Sequence, residues 1–171
     1  YRLLRKSGFD CRLLLAGAGP QEREIRRYIA TRRLTGVELL GRISDDDKAR
    51  YFATADVFVS PAIGRESFGI VLLEAMAAGT PIVCSDIHGY KGVVRRNEQA
   101  LLVPPRDVKA LAEALAKVLG DAELRVQMGA AGRERAPQFS WENITAKVED
   151  YYQFVARRVA GGPTGLPPHV D

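Results

Sequence analysis

Short apolar runs alternate with longer stretches of helix formers through most of this chain, and that alternation constrains the fold more than any other feature. The apolar runs fall at 11–16, 37–40, 56–60, 80–84 and 100–103. Between them, residues 21–33, 45–54 and 68–78 carry helix formers and end near Gly, Thr or a polar turn. Strand–helix–strand order of this kind specifies a parallel sheet covered by helices, an α/β fold. Pro104-Pro105 then breaks the chain, and residues 107–119 repeat Val108, Leu111, Ala112, Leu115, Val118 and Leu119 at helical spacing. A further helix is expected after Asp121. The last should begin after Ser140, a suitable N-cap, and run to about Val155. Residues 161–168 are rich in Gly and Pro and cannot sustain regular structure, so the expected organisation is one domain over 1–158 and a flexible tail over 159–171. Residues 1–6 read as the end of a helix feeding the strand at Cys11. A right-handed crossover puts a strand before such a helix, so the first strand is expected to lie outside the chain.

Composition narrows the class. With 171 residues and 46% apolar content the chain can bury a core, and it has the size of one domain. No run reaches the roughly 20 apolar residues that a membrane span needs. The 25 basic residues are scattered among 21 acidic ones, giving a net charge of +4 without a stripe fit for nucleic acid. A modest basic excess suits small anionic ligands. Cys11 and Cys84 each sit in an apolar run and are expected to be buried free thiols, which suits a reducing cytoplasm. A zinc site needs three or four ligands, and only His88 and His169 could join these cysteines, so two free thiols are favoured over a disulfide or metal pair.

Three loops at the ends of predicted strands carry the candidate chemistry. Gly17-Ala-Gly-Pro20 offers backbone amides where an α/β sheet opens to ligands, with Gly17 and Gly19 permitting close approach. As a dinucleotide fingerprint it fails, because Glu22 fills the third glycine position, which argues against hydride transfer. The second loop, 41–48, is either a helix capped by Ser44 or a surface for a nucleobase edge. In the third, Ser67 is the expected N-cap of a helix that puts Ser67, Ile70, Val71 and Glu74 on one face, with Glu74 roughly 10 Å along the axis at about 1.5 Å per residue. Glu66 stays in the loop. Two carboxylates would then bracket a helix N-terminus whose free amides attract phosphate, an arrangement suited to a nucleoside diphosphate sugar. The alternative is structural: Glu74 would be a buried charge held by an Arg, and Glu66 an ordinary loop residue. His88 follows a predicted strand and is either solvated or near a ligand.

These residues carry a resemblance. The span Glu66-Ser-Phe-Gly-Ile-Val-Leu-Leu-Glu74 resembles the two-glutamate signature of retaining GT-B glycosyltransferases of family 4 (group 1), and Glu74-Ala-Met-Ala-Ala-Gly-Thr-Pro-Ile-Val83 is similar to its continuation. The likeness runs from about Arg2 to Val155 through Leu15–Pro20, Leu40-Gly41, Ala55–Pro61 and Phe139-Ser-Trp141, and is nearest to the phosphatidylinositol mannosyltransferase type.

The resemblance implies a Rossmann-like C-terminal domain that holds the donor, helices on both sheet faces, and a separate N-terminal domain for the acceptor. By position, Glu66 would bind sugar hydroxyls and is the residue placed at the reacting centre, positioning and stabilising rather than attacking. Glu74 would bind the ribose hydroxyls, and the amides of Phe68, Gly69, Ile70 and Val71 would face sugar and diphosphate. Ile43, Asp45 and Lys48 would contact the base, favouring GDP, with Asp45 accepting from the guanine ring NH and amino group. The resemblance implies a nucleotide-diphosphate sugar as donor substrate, GDP-mannose in particular, with no cofactor and no metal. It also puts the family's diphosphate-neutralising Arg and Lys upstream of Tyr1. It further implies a cytoplasmic protein, with peripheral contact at the inner face of the membrane if the acceptor is a lipid, and no nucleic-acid partner. A non-catalytic nucleotide-sugar-binding module and a GT-B sugar epimerase are the other readings.

Overall fold

The computed structural model describes residues 1–159, so most of the expected tail lies outside the described residues. Five strands alternate with helices as the sequence predicts. In chain order they are α1 (Arg2–Lys6), β1 (Leu13–Ala16), α2 (Glu22–Thr31), β2 (Val37–Gly41), α3 (Asp45–Thr54), β3 (Phe58–Ser60) and α4 (Ile70–Ala78). There follow β4 (Ile82–Ser85), a 3-10 turn over His88–Tyr90, β5 (Ala100–Val103), α5 (Val108–Gly120), α6 (Ala122–Arg135), a second 3-10 turn over Ala136–Phe139 and α7 (Trp141–Val159).

All described strand pairs are parallel, but the expected single sheet is interrupted. β1 pairs with β2, while β4 lies between β3 and β5 in a separate three-stranded sheet. Among the described strands, β1 has no ladder partner besides β2 and β3 none besides β4. Several boundaries also move. β4 begins at Ile82 rather than at residue 80, because Thr80 turns its hydroxyl to the Phe52 carbonyl (2.6 Å) and Pro81 has no N–H for a ladder. α7 runs to Val159, one turn beyond the expected end.

Alternation of side chains splits the core across the three-stranded sheet. Ile82 and Cys84 of β4 and Ala100 of β5 point to one layer, with Phe52 of α3 and Leu72, Ala75 and Met76 of α4. Val83, Leu101 and Val103 point to the other, with Leu4 of α1, Leu115 and Val118 of α5 and Met128 of α6. Helices thus cover both faces of this sheet, and β4 is buried on both, as expected of a central parallel strand. The two-stranded sheet is barer: Leu14 is 40% exposed and α2 buries no residue. Cys84 is fully buried, and burial pushes its thiol up to about 12; Cys11 is only half-buried, short of the burial expected.

Helix starts follow local chemistry. Ser44 accepts from the Asp47 amide at 3.0 Å and donates to the Asp47 carboxylate at 2.8 Å, a reciprocal capping arrangement. Asp107 and Asp121 cap α5 and α6 by accepting from Ala110 and Leu124, each at 2.9 Å. Asn143 donates its amide to Ser140 Oγ at 3.3 Å, which fits the expected start of α7.

Candidate functional site

Parallel strands direct their carboxyl ends the same way, and in the three-stranded sheet the β3–α4 loop and the turn after β4 meet there. Together they line an open cleft of about 630 Å³, formed by the end of β3, Glu66, Phe68, the first residues of α4 and Tyr90. A cleft of that size falls within the range of small-molecule sites.

The N-terminus of α4 differs from the expectation. Ser67 does not cap it; Gly69 does, with φ 87° and ψ 54° in the left-handed region, and no side chain hydrogen-bonds the first turn. Left-handed backbone at Arg65 (φ 63°) and Gly69 reverses the loop, so Ser67 and Phe68 approach the helix without joining it. Glu74 is therefore four residues past the first helical position, about 6 Å along the axis at 1.5 Å per residue. Gly69, Ile70 and Val71 at the start of α4 line the cleft, and no side chain caps the helix there, so its dipole favours an anion at this end. At its far end α4 closes in a Schellman pattern, Thr80 donating to Ala75 O and Gly79 to Met76 O, both at 2.9 Å.

Glu74 is held by a lysine rather than an arginine. Lys48 Nζ lies 2.7 Å from Glu74 Oε1 and 2.9 Å from Asp45 Oδ1, which ties the start of α3 to the middle of α4. Hydrogen bonds to Glu74 and then to Asp45 raise the Lys48 ammonium above the ordinary lysine range, so it stays charged at neutral pH. The other carboxylate oxygen, Glu74 Oε2, is buried and has no hydrogen-bond partner, an unusual state for an acceptor of this strength. Glu66 is exposed, and no hydrogen bond or ion pair engages its carboxylate among the described residues. Phe68 stands edge-on to Phe139 (5.9 Å between centroids), and Phe139 in turn lies under the Arg135 guanidinium at 5.3 Å.

A family model described as glycosyl transferases group 1 matches residues 1–135. The chain belongs to that family. It is 41% identical over 147 residues to the phosphatidyl-myo-inositol mannosyltransferase of Mycobacterium leprae, an alignment covering 86% of this chain and 39% of that protein. It is 35% identical over 147 residues to the GDP-mannose-dependent alpha-(1-6)-phosphatidylinositol monomannoside mannosyltransferase of Mycobacterium tuberculosis, covering 81% of this chain and 38% of that one. Among solved structures, the sucrose-phosphate synthase of Thermosynechococcus elongatus superposes with a TM-score of 0.76 at 35% identity, over 86% of this chain and 39% of that chain. The chain thus spans about two fifths of the length of the curated relatives it matches. The fold class expected from sequence, an α/β domain of the GT-B fold, agrees with this structural neighbour.

Within this group 1 domain the predicted residues separate into sets. Glu66, Phe68, Gly69, Ile70 and Val71 share the cleft. Asp45, Lys48 and Glu74 form the ion-paired set, in which Lys48 is committed to two carboxylates. Ile43 is half-buried just before the Ser44 cap. Gly17 donates its amide to Gly41 O at 2.7 Å, joining the first two loops, whereas Gly19 is exposed and neither glycine lines the cleft. His88 is exposed at the start of its 3-10 turn. Sequence reading missed Ser60 and Tyr90, which line the cleft and share a hydrogen bond of 2.6 Å between hydroxyls. Their only signal was position, at the end of β3 and in the loop after β4.

Proposed function

We propose that this chain is the donor-binding half of a retaining hexosyltransferase that uses a nucleotide sugar, GDP-mannose in particular. The acceptor would be held by a separate N-terminal domain. The observation that carries the reading is the Glu74 carboxylate: Lys48 fixes one oxygen and leaves the other buried and unpaired, on a residue about 6 Å along α4 from an N-terminus without a side-chain cap. A ribose hydroxyl would supply the missing partner once the side chain turns the buried Oε2 toward it, and the diphosphate would then meet the amides of Gly69, Ile70 and Val71 at the cleft. Glu66, exposed at the cleft, accepts from hydroxyls of the hexose. Asp45, next to Lys48 and largely exposed, is free to accept from guanine's ring NH and amino group, with Ile43 beside it.

In this reading the developing negative charge of the leaving diphosphate is met by fixed amides and by cations from the rest of the protein, with no resident metal or cofactor. Glu66 orients the sugar and stabilises positive charge at the reacting carbon. The incoming hydroxyl gives its proton to the departing phosphate on the same face. The mannosyl donor is supported by the names of the two mycobacterial relatives. A lipid acceptor would place the protein at the inner face of a membrane; among the described residues no helix is long and apolar enough to cross one.

A thermal-shift screen of the chain with GDP, UDP, ADP and their sugars tests the proposal. A ligand present at about 100 times its Kd stabilises the native state by about 2.7 kcal/mol, a Tm rise of roughly 5–10 °C at this size. GDP and GDP-mannose should produce the largest rise. A preference for UDP would sink the mannosyl assignment, and an undiminished shift in Glu74→Ala would sink the ribose one.

A further inference from the structure

Two residues that the functional reading leaves unused support the turn on which it depends. Tyr90 is the largest fully buried side chain among the described residues, 1% exposed at the end of the His88–Tyr90 turn. Its ring lies flush against Gly69: a Cβ there would stand 2.7 Å from Cε1 and 2.8 Å from Cδ1. Its hydroxyl meets Ser60 Oγ at 2.6 Å, at the root where β3 becomes the cleft loop. Its carbonyl accepts from the amides of Val93 and Val94, each at 3.0 Å, which fixes the ring's backbone to the buried segment behind it. Gly89, one residue earlier, carries the other end of the loop. A Cβ on Gly89 would sit more than an ångström inside ordinary contact with the Glu66 carbonyl oxygen, so the loop backbone rests directly on this glycine.

We propose that Tyr90 is a positioning residue for the donor site. Its ring and the adjoining Gly89 backbone hold the Glu66–Gly69 turn from beneath, and so set the direction of the α4 amides and of the Glu66 carboxylate. Gly69 supplies the left-handed φ, and the ring leaves room at that position for no other residue. The inference rests on the donor-site reading for its consequence, though not for its geometry. A displaced turn costs the contacts to diphosphate and sugar, whereas the nucleoside contacts of Asp45 and Glu74 belong to a separate ion-paired set anchored by Lys48.

The test uses the chain with Tyr90→Phe, Tyr90→Leu and Gly89→Ala, each first confirmed as folded by circular dichroism. Calorimetry then measures GDP and guanosine separately. Tyr90→Phe keeps the ring and should hold GDP affinity within about 3-fold. Tyr90→Leu and Gly89→Ala should each weaken GDP by about 10-fold or more while guanosine changes by less than about 2-fold, since an ångström of misplacement is felt by the groups that must meet it. Equal losses for GDP and guanosine, or no loss in either variant, would overturn the proposal. Amide hydrogen exchange supplies a readout free of nucleotide. The Leu72 amide, which donates to Gly69 O at 2.9 Å, should exchange faster in Tyr90→Leu than in Tyr90→Phe while the β4 amides stay protected. If wild type binds neither ligand, the donor reading falls. Unchanged exchange at Leu72 would remove the positioning role on its own.

Discussion

Replacing Gly129 by alanine should destabilise the chain and also weaken the proposed donor site. Gly129 lies in the middle of α6 where that helix crosses the end of α4. A Cβ added there would fall more than an ångström short of ordinary contact with the Gly79 carbonyl oxygen, a backbone atom that cannot rotate away. The two helices must therefore separate by about 1 Å, at an overpacking cost of about 3 kcal/mol. Alanine's better helix propensity returns about 1 kcal/mol, leaving a net loss of about 2 kcal/mol. In urea this appears as a lowered midpoint with unchanged slope, and on heating as a Tm lower by roughly 4–8 °C. Gly120→Ala is the control: its nearest neighbour would be Phe9 at 3.8 Å, ordinary contact, so only the propensity gain applies. The reasoning fails if Gly129→Ala is as stable as wild type, or if the two alanines behave alike. Since the start of α4 lines the proposed site, the surviving folded fraction should also bind GDP more weakly.

Other outcomes follow from the same geometry. Lys48→Met should leave the Glu74 carboxylate half-buried without its cation and weaken GDP binding by about 10-fold, whereas Arg50→Met, whose partner Asp47 is on the surface, should leave it unchanged; calorimetry separates the two. Ser44→Ala should cost about 1 kcal/mol in urea denaturation through loss of the α3 cap. For Cys84 the folded thiol, pushed by burial to about 12, exceeds its ordinary value of 9.0. The protonated thiol therefore contributes stability fully below pH 9, and this is lost as pH rises from 9 toward 12. Cys84→Ala should flatten that part of the alkaline profile. At pH 8 a thiol reagent should label half-buried Cys11 well before Cys84, and equal labelling rates in the native chain would contradict the burial.

The elements that sequence reading placed well are those whose signal is local. β4 is an apolar run buried on both faces, and Ser44, Asp107 and Asp121 cap helices through contacts three residues away. Ser67 misled because a good capping residue is only one way to begin a helix; a left-handed glycine two positions later, held by a distant ring, took precedence. The structural alternative gave Glu74 an Arg as partner; the partner is Lys48, 26 residues away, a pairing that α3–α4 packing alone decides. The break between the two sheets was hidden for a similar reason, since strand order is a long-range property. Tyr90 and Gly89 carried no pattern in sequence, because their role is the close approach of two loops.

α4 is apolar almost all round, and Glu74 is its one charge. A half-buried ion pair is a poor way to stabilise such a helix, since a well-packed apolar pair of similar volume is often as stable or more so. Lys48 does not even satisfy the group: one oxygen is paired while the other stays buried and unpaired, at a cost of about 1–3 kcal/mol. Stability alone therefore does not account for a carboxylate here. The proposed donor site would account for it, because a ligand hydroxyl would pair Oε2 only when bound and regain the cost at that moment. Lys48 then has two tasks in one geometry. It fixes Glu74 through Oε1 and leaves Oε2 without a partner, and through Asp45 it links the residue that would meet the base to the residue that would meet the ribose. On that account base selectivity and ribose affinity should change together when Lys48 is replaced, and independently of the Glu66–Gly69 turn.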